Sequence, residues 1–262
     1  MDTALAQPSF TDHYERLLVP SIFGPWGRDL IERARPIGPS DRILDLGCGT
    51  GIVARLLRER LGGAARISGI DSNPQMVAAA RALAPELVWH EGNAMALPFA
   101  DASFDLVLCQ EMLQFVPERA RAARELRRVL APGGRVVAST WRPRSEQPLY
   151  EALAPVAERH LGTPSDKRYA LGDGEALRAL LLEAGFAEVR VEGVTRAEHY
   201  PRFPVRLNAM AMGFELAALS DEERERRLSA IEAESAPILA RFAEGGGFVT
   251  QASANVATAV VR

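Results

Sequence analysis

Five short apolar runs, Arg42–Leu46, Arg66–Ile70, Leu87–Glu91, Phe104–Cys109 and Gly134–Thr140, recur along the chain with helical patterns between them. Each is short and is followed by a turn or a helix start, the pattern of a buried strand. The stretches near 52–61, 74–83 and 117–130 carry apolar residues at helical spacing. Pro74 and Pro117 suit a first helical turn, and "APGG" at 131–134 closes the third helix. Parallel strands need crossover connections of this kind, and the crossovers cover the sheet on both faces. The alternation therefore predicts an α/β, doubly wound, mostly parallel sheet.

The flanks extend this frame. Residues 9–36 place apolar groups at helical intervals interrupted by Pro20, Gly24 and Pro25, which predicts two short helices. Helices are expected at 148–161 and 174–184, the second stopped by Gly185, with a strand over Ala187–Val194. Residues 200–245 read as a helical insertion with a capping box, Ser220 with Glu223. The segment after it reads as a final strand, adding an antiparallel pair at the sheet edge.

A formal net charge of −3 and a pI near 5.9 disfavour a phosphate backbone as the main partner. Cys48 and Cys109 give neither a disulfide framework nor metal-ligand spacing, so no metal is expected and a reducing compartment is. The N-terminus lacks a signal-peptide pattern and no stretch reaches membrane-span length. The expectation is a cytoplasmic protein, monomeric or homodimeric, with no nucleic-acid or membrane partner.

"ILDLGCGTGIVARLL", Ile43–Leu57, sets three glycines between a strand and a helix. Glycine admits positive φ and close backbone approach, and the helix start offers free N–H groups. A dinucleotide fingerprint would need a small residue where Ile52 stands, and a P-loop would need a following Lys-Ser/Thr. Asp71, at the end of the second strand, is placed to accept both ribose hydroxyls, with Ser72 or Asn73 equally able to cap the next helix. Gly92-Asn93-Ala94, after the third strand, can pair with an adenine edge. The site reads as one for an adenosine without phosphates.

These segments carry a resemblance. "DLGCGTG" at 45–51, "GIDSNPQMV" at 69–77, "GNAMALPFADASFDLV" at 92–107 and "ELRRVLAPGGRVV" at 125–137 resemble the class I S-adenosylmethionine-dependent methyltransferases, in the small-molecule branch similar to ubiquinone and menaquinone biosynthesis methyltransferases. The resemblance implies a seven-stranded Rossmann-like methyltransferase fold, S-adenosylmethionine as cofactor and S-adenosylhomocysteine as product. It implies that Asp45, Gly47, Cys48, Gly49 and Gly51 face the methionine and ribose portions, and that Asp71, with Ser72 and Met76, lies at the ribose. Asn93 and Ala94 would take the adenine edge beside Met95, and Gln110 would lie near the methionine or the sulfonium. Relatives commonly have Asp where this chain has Asn93. A single domain over 1–262 is expected: an N-terminal helical segment 1–38 over the cofactor, a cofactor core 39–141, the rest of the sheet in 142–199, a helical cap 200–246 and a final strand 247–262.

Methyl transfer from a sulfonium is an in-line displacement that rests mainly on proximity and orientation. A general base is needed only for a poorly ionised acceptor. The expected acceptor is a small, partly apolar molecule. Catalytic candidates are Tyr14, His13, His199 and Gln114; Glu111 is well placed but also suits a helix cap, and His90 suits a structural role. Gln114, Trp141, Met210, Met212 and Phe214 are candidates for the acceptor pocket, Met because it moulds to irregular shapes. The competing readings are a methyltransferase of RNA or protein, a protein that binds the cofactor without transfer, and a NAD-linked oxidoreductase.

Overall fold

A computed structural model describes residues 10–63, 65–162, 166–212 and 219–262, with the side chains of 210–212 left out. The strands are β1 (Arg42–Leu46), β2 (Arg66–Asp71), β3 (Val88–Glu91), β4 (Phe104–Gln110), β5 (Leu130–Trp141), β6 (Ala187–Tyr200), the two-residue β7 (Ala243–Glu244) and β8 (Gly247–Val260). They form one sheet in the order β3-β2-β1-β4-β5-β8-β6, with β7 paired to β8. The first five are parallel, and β8 runs antiparallel to both β5 and β6. The C-terminal antiparallel pair thus lies at the sheet edge, as expected. The strand order reverses between β1 and β4, where ligands of open α/β sheets bind at the carboxyl ends of the strands.

The crossover helices are α3 (Ile52–Leu61), α4 (Pro74–Leu83) and α5 (Arg119–Val129), followed by α6 (Pro148–Leu161) and α7 (Gly174–Glu183). Two apolar layers lie on the two faces of the sheet: one joins Leu44, Val107, Ala138 and Leu126, the other Ile43, Leu106, Val53 and Leu57. The "APGG" segment does not close a helix. The helix ends at Val129, and Leu130 already pairs with Phe104 before the register shifts and resumes at Leu106 with Arg135. Gly133, at φ 77°, lets the chain bulge there.

The N-terminal stretch is wound through rather than broken. Helix α1 (Phe10–His13) continues as a π-helical segment, Tyr14–Phe23, into α2 (Gly24–Arg33). The wide turn accommodates Pro20, which has no N–H to give. Gly24 N–H bonds Val19 O, and a Cβ on Gly24 would stand 2.9 Å from that oxygen. Within the expected insertion lie α8 (Val205–Met212) and α9 (Asp221–Leu239), whose N-cap Ser220 Oγ accepts from Glu223 N at 3.2 Å. The strand expected to end at Val194 runs on to Tyr200, with every residue from Arg190 to Tyr200 paired to β8. A third apolar cluster, with Trp26, Leu149, Leu153, Tyr200, Phe203 and Leu228, ties α2, α6, β6 and α9 together.

Candidate functional site

A cavity of about 390 Å³ opens at the carboxyl ends of β1, β2, β4 and β5. Gly47, Cys48, Gly49 and Asp71 line it from the β1 and β2 side, and Glu111 and Trp141 from the β4 and β5 side. Tyr14, Leu18 and Phe23 line it from the N-terminal helix, and Phe203, Leu207 and Asn208 from the start of the insertion. Its volume suits a small organic ligand.

The three turn glycines all have positive φ, at 71°, 55° and 85° for Gly47, Gly49 and Gly51. Their surroundings differ. A Cβ on Gly47 would stand 2.3 Å from Met112 Cγ, and one on Gly51 2.2 Å from Trp89 Cη2. Only the space over Gly49 is open, with Tyr14 Oη 3.5 Å from the Cβ position. Gly51 does not line the cavity: its missing side chain makes room for the Trp89 ring. This corrects the expectation that all three glycines face a ligand.

Asp71 anchors the turn. Its Oδ2 accepts from Gly49 N at 2.9 Å and its Oδ1 from Asn73 N at 2.8 Å, leaving one lone pair on each oxygen. Asn73, not Ser72, caps α4, accepting from Gln75 N at 2.9 Å. Ser72 and Met76 line the cavity. Asp45 is 1 % exposed and accepts from Ala54 N at 3.0 Å. Burial pushes its carboxyl up to about 7, with the Asp71 charge adding to it. Burial also raises the Cys48 thiol and the Tyr14 phenol well above their ordinary values. Gln110 lines the cavity and donates to Phe23 O at 3.0 Å, tying the N-terminal helix to β4.

Other expected residues stand elsewhere. Asn93, Ala94 and Met95 lie outside the cavity lining, and Asn93 Oδ1 accepts from Met95 N at 2.9 Å. The side-chain acceptor of Asn93, a residue expected at the adenine edge, is thus already engaged once. Gln114 is buried and lies off the cavity; its Nε2 donates to Glu111 Oε2 at 3.0 Å. It acts on the site through Glu111, which lines the cavity. Burial pushes the Glu111 carboxyl up to about 8. His13 lines a neighbouring cavity with Arg16 and Arg202, and His199 is exposed on β6. His90 packs edge-on against Phe99, in keeping with its structural reading. Trp141 lines the cavity and meets Trp26 edge-to-face at 5.4 Å. Phe214 lies outside the described residues, as do the side chains of Met210 and Met212.

The structure adds cavity residues that the sequence reading passed over: Gln147, Tyr150, Arg168 and Tyr169. Among the described lining residues Arg168 is the only Lys or Arg. Its guanidinium is paired with Asp166, bonds Asn208 Oδ1 at 2.7 Å and lies over the Tyr150 ring at 5.1 Å. With carboxylate acceptors at the glycine turn and, among the described lining residues, no cation beside them, the turn suits the hydroxyl and ammonium donors of a ligand, not phosphates.

A doubly wound sheet with a glycine turn at its switch point and a carboxylate, Asp71, at the end of the neighbouring strand is the arrangement of a nucleotide- or nucleoside-cofactor protein. A family model described as a methyltransferase domain matches residues 44–138. The chain is 36 % identical over 188 residues to a demethylmenaquinone methyltransferase of Thermus thermophilus, covering 65 % of this chain and 84 % of that one. It is 31 % identical to a ubiquinone/menaquinone biosynthesis C-methyltransferase of Xanthomonas oryzae pv. oryzae, covering 65 % and 75 %. A phosphoethanolamine N-methyltransferase of Haemonchus contortus, solved with S-adenosylhomocysteine, shares the fold at a TM-score of 0.62 and 18 % identity, covering 98 % of this chain and 59 % of that one. The chain belongs to the class I S-adenosylmethionine-dependent methyltransferases, in the branch of the quinone-biosynthesis enzymes. Its activity is methyl transfer to a small-molecule acceptor, with S-adenosylmethionine as the cofactor. Among the described residues no helix is long and apolar enough to cross a membrane.

Proposed function

We propose that this chain methylates a small aromatic acceptor bearing a ring hydroxyl, of the phenol or hydroquinone class. The observation that carries the reading is the aromatic character of the cavity beyond the glycine turn: Phe115, Trp141, Tyr150, Tyr169 and Phe203 all line it. Flat rings pack well on such walls, and aromatic contacts add to simple burial. The names of the two relatives point to quinone-type acceptors and support the same class.

On this reading the cofactor lies along the carboxyl ends of β1 and β2. Asp71 takes the ribose hydroxyls, Asp45, the Gly47–Gly49 backbone and Gln110 hold the methionine part, and Asn93 and Ala94 border the adenine. When bound, S-adenosylmethionine supplies an electrophilic methyl group on sulfur. The protein's own work is to hold the acceptor in line and to exclude water. Phe203, Leu207 and Asn208 do this from the insertion, which serves as the substrate cap, and Tyr14 and Leu18 do it from the N-terminal segment. A cytoplasmic protein, monomeric or homodimeric and without nucleic-acid or membrane partners, completes the proposal; the net charge of −3 and the two unpaired, buried cysteines support it.

The test is methyl transfer from radiolabelled S-adenosylmethionine to a panel of phenols, benzohydroquinones, naphthohydroquinones, amines and total tRNA. Label in the extractable aromatic product is the expected result. Label in an amine or in tRNA instead would overturn the acceptor class.

A further inference from the structure

The far wall of the cavity continues into the protein as a line of hydroxyls ending on a buried carboxyl. Tyr150, on α6, lines the cavity. Its Oη lies 3.1 Å from Tyr200 Oη, and Tyr200 donates to Glu198 Oε2 at 2.6 Å. The other oxygen, Glu198 Oε1, accepts from Trp26 Nε1 at 3.2 Å. Tyr200 and Glu198 are 1 % and 2 % exposed, so cavity-lining Tyr150 is the wet end of the line. Strand period places Glu198 and Tyr200 on one face of β6 and sends His199 to the other.

The direction of these bonds depends on one proton. With Glu198 ionised, Tyr200 donates to it and Tyr150 donates to Tyr200, so Tyr150 Oη keeps its lone pairs to accept from a ligand hydroxyl. With Glu198 protonated each bond reverses, and Tyr150 becomes a donor. A chain of this form moves a proton inward by one hop at each oxygen.

We propose that Tyr150, Tyr200 and Glu198 form a proton relay that removes the hydroxyl proton of a phenolic acceptor. The proposal rests on the acceptor class given above. The acceptor O–H breaks as its proton passes to Tyr150; the Tyr150 proton passes to Tyr200 and the Tyr200 proton to Glu198. One O–H bond forms for each that breaks. The acceptor keeps the electron pair as an oxyanion, the nucleophile at oxygen; where a ring carbon takes the methyl group instead, that carbon gives up its own proton and the oxygen regains one, which restores the ring. After product leaves, Glu198 returns the proton by the same path to water in the cavity. Tyr150 is the catalytic residue; Tyr200 and Glu198 act through it.

The surroundings suit a relay that works near neutrality. Burial pushes Glu198 up to about 7, while its bonds to Tyr200 and Trp26 pull the other way. Among the described residues the charged and titratable groups around Glu198 are Tyr150 on α6, Arg168 and Tyr169 in the 167–169 turn, Glu111 after β4, and, across the Trp26 ring, Arg196 on β6 paired with Asp29 on α2. Arg168 over the Tyr150 ring favours negative charge passing through that hydroxyl.

Trp26 reports on Glu198 without turnover. In the ¹⁵N-labelled full chain with S-adenosylhomocysteine, its indole N–H resonance should titrate near neutral pH and stop doing so in E198Q. Added 1,4-dihydroxybenzene should displace that midpoint in the wild type and leave it in place in Y150F. In turnover with a hydroquinone, Y150F should lower kcat on the order of 10²-fold with KM nearly unchanged. E198Q should remove the neutral limb of the kcat pH profile, and E198D should restore part of it. A midpoint indifferent to the ring, or an E198Q enzyme that keeps the limb, would overturn the relay. A wild type that methylates no hydroquinone would overturn the acceptor class alone, since the indole titration still decides the relay.

Discussion

The bare Cα of Gly51 faces the ring of Trp89 so closely that a Cβ would stand 2.2 Å from Cη2. Gly69 flanks the same ring, its Cβ position 2.3 Å from Cζ3. Trp89 is further fixed by its Nε1 bond to Ala84 O at 2.8 Å, so it has little room to yield. Gly51→Ala is expected to destabilise the fold by about 2–4 kcal/mol, from overpacking and from a side chain at φ 85°. Gly49→Ala, with open space at its Cβ, should cost less stability and more cofactor affinity. Urea titrations of both proteins check this. In a Trp89→Leu background the penalty of Gly51→Ala should shrink, and an unchanged penalty would mean that the ring is not the obstacle.

Asp71 joins stability to binding. Asp71→Ala leaves the Gly49 and Asn73 N–H groups without their carboxylate, and it removes the group assigned to the ribose. The expected loss is on the order of 1–3 kcal/mol in S-adenosylhomocysteine affinity, with a smaller loss for Asp71→Asn. Calorimetric titration measures it. A dissociation constant equal to that of the wild type would take Asp71 out of the site.

The sheet was legible because its strands are short apolar runs set apart by helices: Arg42–Leu46 falls on β1 residue for residue. The glycine turn and Asp71 were legible because spacing along one βαβ unit is local information. The acceptor end was not. Tyr150, Arg168 and Tyr169 lie on α6 and the turn after it, with no shared local pattern, and meet only when those segments fold over the sheet. Glu198 and the place of Tyr200 were hidden for a different reason. The apolar run stops at Val194 and Tyr200 reads as the start of the insertion, although β8 pairs with every residue of Thr195–Tyr200. Gly51 misled because sequence shows that a side chain is excluded and not what excludes it.

Three buried carboxyls make stability depend on pH in an unusual direction. Burial pushes Asp45 up to about 7, Glu111 to about 8 and Glu198 to about 7. Each binds its proton more tightly folded than unfolded, so each stabilises fully below its unfolded value. That contribution is lost as pH rises through the folded value, on the order of 1–3 kcal/mol per group. His90, lowered by burial, works the other way, but it is one group against three. The cofactor-free protein should therefore melt higher at pH 5 than at pH 8.5. Glu198→Gln should reduce that difference, and a profile identical to the wild type would show that Glu198 keeps an ordinary pKa.

Arg128 fixes the loop after β3 from underneath. Its guanidinium bonds both oxygens of Glu125, at 2.7 and 2.8 Å, and reaches Leu97 O, Phe99 O and Asp101. Glu125 Oε2 in turn accepts from Leu97 N at 2.7 Å. One planar fork thereby holds the segment that begins with Asn93 and Ala94. A lysine offers one ammonium in place of the fork, so Arg128→Lys should behave nearly like Arg128→Ala. Each is expected to destabilise by about 1–3 kcal/mol and to speed hydrogen exchange at the Leu97 amide. If the loop borders the adenine as proposed, both variants also weaken S-adenosylhomocysteine binding. Faster exchange with unaltered affinity would separate the loop's structural role from the cofactor and place the adenine elsewhere in the cavity.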